Sequence, residues 1–127
     1  MAVTSFIAGE AISAGDAVYV TPSGFVRKSI GTVQEQASPV GVSVDTTSVN
    51  NLTRVVSDSI YSSSVGLTAG NRQYLSLTTS GGIVDYATWQ TQLTSLSASG
   101  AFLTQIGTAL SSTALNVEIE RPIYITK

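Results

Sequence analysis

The sequence predicts an all-β chain, a mainly antiparallel β-sandwich or barrel-like body with one short inserted helix, made of two degenerate halves. Three observations carry that expectation. A turn–strand–turn–strand unit runs from Ile12 to Val26. The unit returns about half a chain later, from Leu67 to Val84. Period-two alternation of apolar residues marks both halves, whereas a helical period is found in one short stretch.

In the first unit, Ala14-Gly15-Asp16 reads as a tight turn, because Gly15 takes a positive φ without steric cost and Asp16 can accept from nearby amides. Val18-Tyr19-Val20 suits a pleated strand, Pro22-Ser23-Gly24 a second turn, and Phe25-Val26 the return strand. The echo places Gly70 where Gly15 stood, and Thr79-Ser80-Gly81-Gly82 where the second turn stood. Gly15, Asp16, Gly24, Gly70 and Gly81 are therefore expected to be structural turn residues. Each half continues with a glycine before an apolar alternation, Val40-Gly41-Val42-Ser43-Val44 and Ile106-Gly107-Thr108-Ala109-Leu110. Two copies are too few for a solenoid and read better as halves of one domain. The expected layout is one domain over 1–127. It has an N-terminal arm or strand at 1–8, a first half at 9–61, and a second half at 66–120 carrying an insertion at 85–103. A C-terminal strand or tail follows at 121–127.

Between these landmarks, Ser29 to Ser38 is polar and reads as a surface loop, and Ser62-Ser63-Ser64 as a break. Leu52 to Tyr61 reads as strand, turn near Ser57-Asp58-Ser59, and short strand. Trp89, Leu93 and Leu96 recur at i, i+4 and i+7, so Asp85 to Ser97 predicts a helix, with Asp85 as N-cap and Gly100 just past its end. Leu115, Val117 and Ile119 alternate with Asn116, Glu118 and Glu120, the cleanest amphipathic strand in the chain. Pro122 interrupts it, and Ile123-Tyr124-Ile125 is a last strand or a tail that adds to a neighbour's sheet.

Length and composition narrow the functional classes. A chain of 127 residues suits one domain, and a 43% hydrophobic fraction suffices for a core. Only 11% of residues are charged, against roughly 25% in an average soluble domain. Ser and Thr supply much of the polarity, which suits either a β-rich surface covered by neighbours or simply a Ser/Thr-rich β-domain. Net charge is −2 with no basic cluster beyond Arg27-Lys28, so no nucleic-acid partner is expected. No apolar run approaches membrane-spanning length, and no secretory signal pattern is visible, so no membrane partner is expected.

The chemistry of catalysis is sparse. Histidine and cysteine are absent, which removes the commonest general base, the commonest zinc ligand and the thiol nucleophile. There is no Walker motif and no dinucleotide fingerprint. Glu118 and Glu120 form the one close carboxylate pair, and the alternation explains them as a solvated strand face. Trp89 and the tyrosines could line a carbohydrate site, with core or inter-subunit contact as the competing reading. No catalytic residue, cofactor or metal site is expected, and the chain is read as a non-enzyme.

Gly9-Glu10-Ala11-Ile12-Ser13-Ala14-Gly15-Asp16-Ala17-Val18-Tyr19-Val20, with Ser23-Gly24-Phe25-Val26, resembles tailed-bacteriophage virion proteins, in particular capsid decoration or cement proteins. The stretch Ile106 to Val117 is similar to a strand pattern of phage structural proteins generally. The helix-like insertion is not part of that pattern. The resemblance implies small β-rich subunits on the outer surface of the capsid, often trimeric, bridging copies of the major capsid protein. It implies self-association and capsid contact as the partners, with location in the virion. Val3, Phe6, Ile7, Ile123, Tyr124 and Ile125 are the candidate inter-subunit contacts, because both ends of the chain carry apolar residues outside the duplicated body. A phage tail, fibre or host-glycan-binding β-module is the alternative.

Overall fold

The computed structural model describes residues 2–62 and 66–127, so Ser63 and Ser64 of the expected break lie outside the described residues. The chain is all-β with one short helix. The first sheet contains β1 (Ala2–Ile7), β2 (Ala17–Val20), β3 (Val26–Lys28), β4 (Gly41–Ser43) and β5 (Leu52–Ser57). The second contains β6 (Ile60–Tyr61), β7 (Arg72–Leu75) and β8 (Ile83–Asp85). After α1 (Tyr86–Ser95) and β9 (Gly100–Leu103), it is completed by β10 (Gln105–Ala109) and β11 (Leu115–Val117). Finally, β12 (Ile123–Thr126) pairs antiparallel with β9.

The two sheets share one connectivity. Their strand orders are β1-β5-β4-β2-β3 and β6-β11-β10-β7-β8, so each strand of one has a counterpart in the other. The turns repeat bond for bond. Asp16 N–H donates to Ser13 O at 3.0 Å, and Asn71 N–H to Thr68 O at 3.1 Å. Gly15 N–H donates to Ser43 O at 2.7 Å, and Gly70 N–H to Ala109 O at 2.8 Å. Ser43 N–H returns to Asp16 O, and Ala109 N–H to Asn71 O, each at 2.8 Å. The sequence echo is a repeated route for the backbone, because the same turn residues satisfy the same amides.

The halves stack face to back. Ala17, Val42 and Val56 lie on one face of the first sheet, linked by the pairings Ala17↔Val42 and Val42↔Val56. They pack into one core with Tyr61, Leu75, Ile106, Leu115 and Val117 of the second sheet. The opposite face of the first sheet holds its own core of Val18, Val26 and Val55 with Ala8 and Ile12, and Phe6 lies against it. A parallel bridge from Ala8 to Val26 draws the end of β1 toward β3, so the first sheet curls around that core. Backbone bonds sew the halves together: Ala17 N–H donates to Gly81 O at 2.9 Å and Gly31 N–H to Ser76 O at 3.0 Å.

The insertion forms a third layer over the second sheet. Asp85 caps α1 by accepting from Thr88 N–H at 2.8 Å. Trp89 is 1% exposed and packs with Leu77 and Ala101, while Leu93 and Leu96 flank that cluster. A ten-residue helix is marginal alone, so this burial holds it.

At the two ends of the chain the structure decides between arm or tail and strand in favour of strand, and two other local expectations change. The 1–8 segment is an integral strand rather than an arm, pairing with β5 from Ala2↔Ser57 to Ile7↔Leu52. Ile60–Tyr61, placed by sequence in the first half, is the second sheet's counterpart of β1 and pairs with β11. The Ser29–Ser38 segment is only partly a surface loop: Ser29 and Ala37 are fully buried, and Ala37 O accepts from the buried Thr104 hydroxyl at 2.7 Å. The C-terminal strand adds to β9 of its own chain, with Tyr124 edge-on to Phe102 at 5.2 Å.

Candidate functional site

Of the turn residues singled out by sequence, Gly15, Asp16 and Gly81 sit at the seam between the halves, whereas a Cβ at Gly24 or Gly70 would meet open space. Gly15, Gly24, Gly70 and Gly81 have φ of 95°, 86°, 88° and 78°. Asp16 faces the seam. Its carboxylate accepts from Ser13 N–H at 2.9 Å, and a Cβ at Gly81 would lie 2.8 Å from its carboxyl carbon. Burial raises the Asp16 pKa above the ordinary carboxylate value, opposed by the Ser13 bond and the charge of Lys28. Burial likewise raises Tyr61, with the Asp16 charge adding to the shift. This is a structural junction, in which a half-buried carboxylate is spent on a turn.

Four of the other acidic groups are held by separate local partners. Asp45 takes a bidentate pair from Arg54, at 3.0 Å to Nε and 2.8 Å to Nη2, and this bond holds its carboxyl below the ordinary range. Asp85 is lowered by the Thr88 backbone bond that caps the helix. Glu10 accepts from Lys28 N–H at 2.9 Å. Glu118 accepts from the Asn116 amide at 2.8 Å, as neighbours on one strand face do. Among the described residues no three His, Cys, Asp or Glu converge on a point where a cation would be held. No helix among them is long and apolar enough to cross a membrane.

What the surface offers instead is uncovered apolar area. Of the candidate contacts, Val3 and Ile7 are each 39% exposed, Ile123 59% and Tyr124 51%. Phe6 and Ile125 turn inward, onto the first-sheet core and the helix cluster. The structure adds Leu52, 67% exposed and paired with Ile7. Val3, Ile7 and Leu52 project from the face that carries Val56, and Val3 lines a surface hollow with Ile60 and Tyr61 of the second sheet. Sequence reasoning passed over Leu52 because it begins a strand whose neighbours Thr53 and Val55 are buried. Period-two parity puts Leu52 on the face of the buried Val56, so alternation alone does not mark it as exposed. No protein-family model matches the chain, and a search of curated proteins finds no match either.

Proposed function

We propose that this chain is a structural virion protein that binds the outside of a phage capsid and stabilises the lattice by bridging major capsid subunits, acting as a homo-oligomer, as a trimer in the first instance. The observation that carries the reading is β1. It is six residues long, lies at the edge of its sheet and contains no charged residue or proline. Solitary soluble proteins protect such edges with lysine, proline or a bulge, because an open strand recruits another chain. Here the edge runs beside the exposed Val3, Ile7 and Leu52, so backbone pairing and apolar burial are available to one neighbour together. The low charge fraction and the resemblance of Gly9 to Val26 to decoration proteins support the same reading.

The mechanism is mechanical. A subunit contributes a weak contact, and repeated attachment across the lattice multiplies its effective affinity. It involves no catalytic step and no cofactor. Cryo-electron microscopy of particles from the phage that encodes the chain is the test. Density for this fold on the outer head surface, touching more than one major capsid subunit, is expected. Density confined to the tail, or absent from the particle, would replace the proposal.

A further inference from the structure

The duplication provides an internal comparison, and one face of the second sheet departs from its counterpart in the first. The face of the first sheet that carries Ala17, Val42 and Val56 is apolar and buried. The corresponding face of the second sheet carries Arg72, Thr108 and Asn116, joined by the same pairings. Buried apolar residues have been replaced by polar ones that reach solvent, so this face no longer stacks on a further copy. The inserted helix and the β9–β12 ribbon stand on it and leave a channel uncovered along β7.

The channel consists of two adjoining depressions that share Arg72 and Tyr74. One, of about 400 Å³, is flanked by Asn71 and Tyr86. The other, of about 440 Å³, runs between Gln105, Glu120 and Ile123. Each volume falls within the range of small-ligand sites. The aromatic groups are organised: Tyr86 is 46% exposed, lies 5.7 Å from Tyr74 at a 56° tilt, and is backed by Trp89 at 6.1 Å and 7°. A solvent-facing ring braced from behind by a buried indole is a fixed apolar platform. Beside it stand planar donors and acceptors, the Asn71 and Gln105 amides and the Arg72 guanidinium. The charges lining the channel balance, with Arg72 and Arg121 against Asp85 and Glu120.

We infer that this channel binds a neutral oligosaccharide, with one sugar ring lying on Tyr86 and the chain continuing past Arg72 toward Gln105. An apolar sugar face needs the ring, its hydroxyls need planar donors and acceptors, and the balanced charge favours neither anion nor cation. The inference stands independently of the virion reading.

The test uses the full chain and three probes, chitotriose, cellotriose and maltotriose, with a heparin-derived disaccharide as the anionic comparison. Saturation-transfer nuclear magnetic resonance and tryptophan fluorescence read binding. At least one neutral trisaccharide is expected to bind with a Kd on the order of 1 mM or tighter. Arg72→Ala, at an exposed residue, and Tyr86→Ala are each expected to weaken it about tenfold or more, one decade of Kd being the smallest loss that decides. Tyr19→Ala, at the first-sheet counterpart of Tyr74, is expected to leave it unchanged. Thermal melts report folding, and Arg72→Gln serves as a second variant that keeps the side-chain stem. The inference is overturned if none of the three neutral probes binds, if only the sulfated disaccharide binds, or if Arg72→Ala and Arg72→Gln bind like the parent.

Discussion

Gly41 of β4 and Gly107 of β10 occupy matching places in the two sheets, and each lies against a carbonyl oxygen of the adjoining strand, Val56 O for Gly41 and Asn116 O for Gly107. Val42 pairs with Val56 and Thr108 with Asn116, so the close approach occurs at the same register in both halves. A methyl group at either glycine would meet backbone, which cannot swing aside as a side chain can. Gly41→Ala and Gly107→Ala are each expected to destabilise by about 1–3 kcal/mol or more, the range of overpacking. Urea unfolding measures this. Losses below about 0.5 kcal/mol, the scale of an ordinary surface change, would show that the strands have room.

Two carboxylates give opposite pH trends. The Asp85 pKa is lowered in the folded chain, so its contribution is present above the unfolded value of 3.8 and is lost as pH falls through the folded value. Asp85→Ala is expected to cost about 1 kcal/mol near neutrality, as N-cap losses do, and less once the pH has fallen through the folded value, where the parent cap is itself protonated. Thermal melts across that range decide, and a deficit that grows on acidification contradicts the capping account.

The Asp16 pKa is raised, so the neutral form is favoured by folding. Its contribution is complete below 3.8 and disappears as pH rises through the folded value. Asp16→Asn keeps an oxygen for the Ser13 amide and removes the charge. It is expected to match the parent in acid and exceed it near neutrality by less than about 1 kcal/mol, since the group is half exposed. A variant less stable than the parent at neutral pH would show that the Lys28 attraction outweighs burial.

Trp89 anchors the third layer. Trp89→Ala is expected to cost about 3–5 kcal/mol by the measure of aromatic core deletions. The loss should fall on α1 and the β9–β12 ribbon, whose cluster with Leu77 and Ala101 is separate from the core shared by the sheets. Hydrogen exchange tests this: amides of Thr91 to Ser95 should lose protection before those of Val42 and Val56. Uniform loss would mean that the layers unfold as one unit.

The parts of the fold legible in sequence were those with local causes. The turn at Gly15 and its copy at Gly70 are written in residue types that few other conformations explain. The helix from Tyr86 was announced by Asp85 and by the spacing of Trp89, Leu93 and Leu96. The misplacement of β6 has the opposite origin: two residues carry no period, and only pairing with Leu115 and Asn116 assigns them to the second sheet. The β1 strand was ambiguous because Phe6 and Ile7 are both apolar, one facing the core and the other solvent. The stacking of one sheet on the back of the other was illegible, since Ala17 and Arg72 look unrelated until their registers are compared. The exposed trio is legible only through pairing, because Val3, Ile7 and Leu52 lie on different strands.

That trio gives the sharpest test of assembly. Removing the chain's ends, the experiment an arm-like N-terminus would invite, would delete a strand paired with β5 along its length and unfold the first half. Surface substitution separates assembly from folding. Val3→Lys, Ile7→Lys and Leu52→Glu together place charge on the exposed face beside the β1 edge. Such exposed changes ordinarily alter stability by about 0.5 kcal/mol each or less. If the edge is the contact, the parent should be a closed oligomer at micromolar concentration in sedimentation velocity, and should co-sediment with phage heads that lack it. The triple variant should be monomeric and fail to bind heads while melting within a few degrees of the parent. The rotational closure of a heterologous contact makes a ring the expected form, a trimer if three copies close it. A monomeric parent that ignores such heads would overturn the capsid reading. A triple variant that assembles and attaches like the parent would move the contact away from β1, to the ribbon on which Ile123 and Tyr124 are exposed.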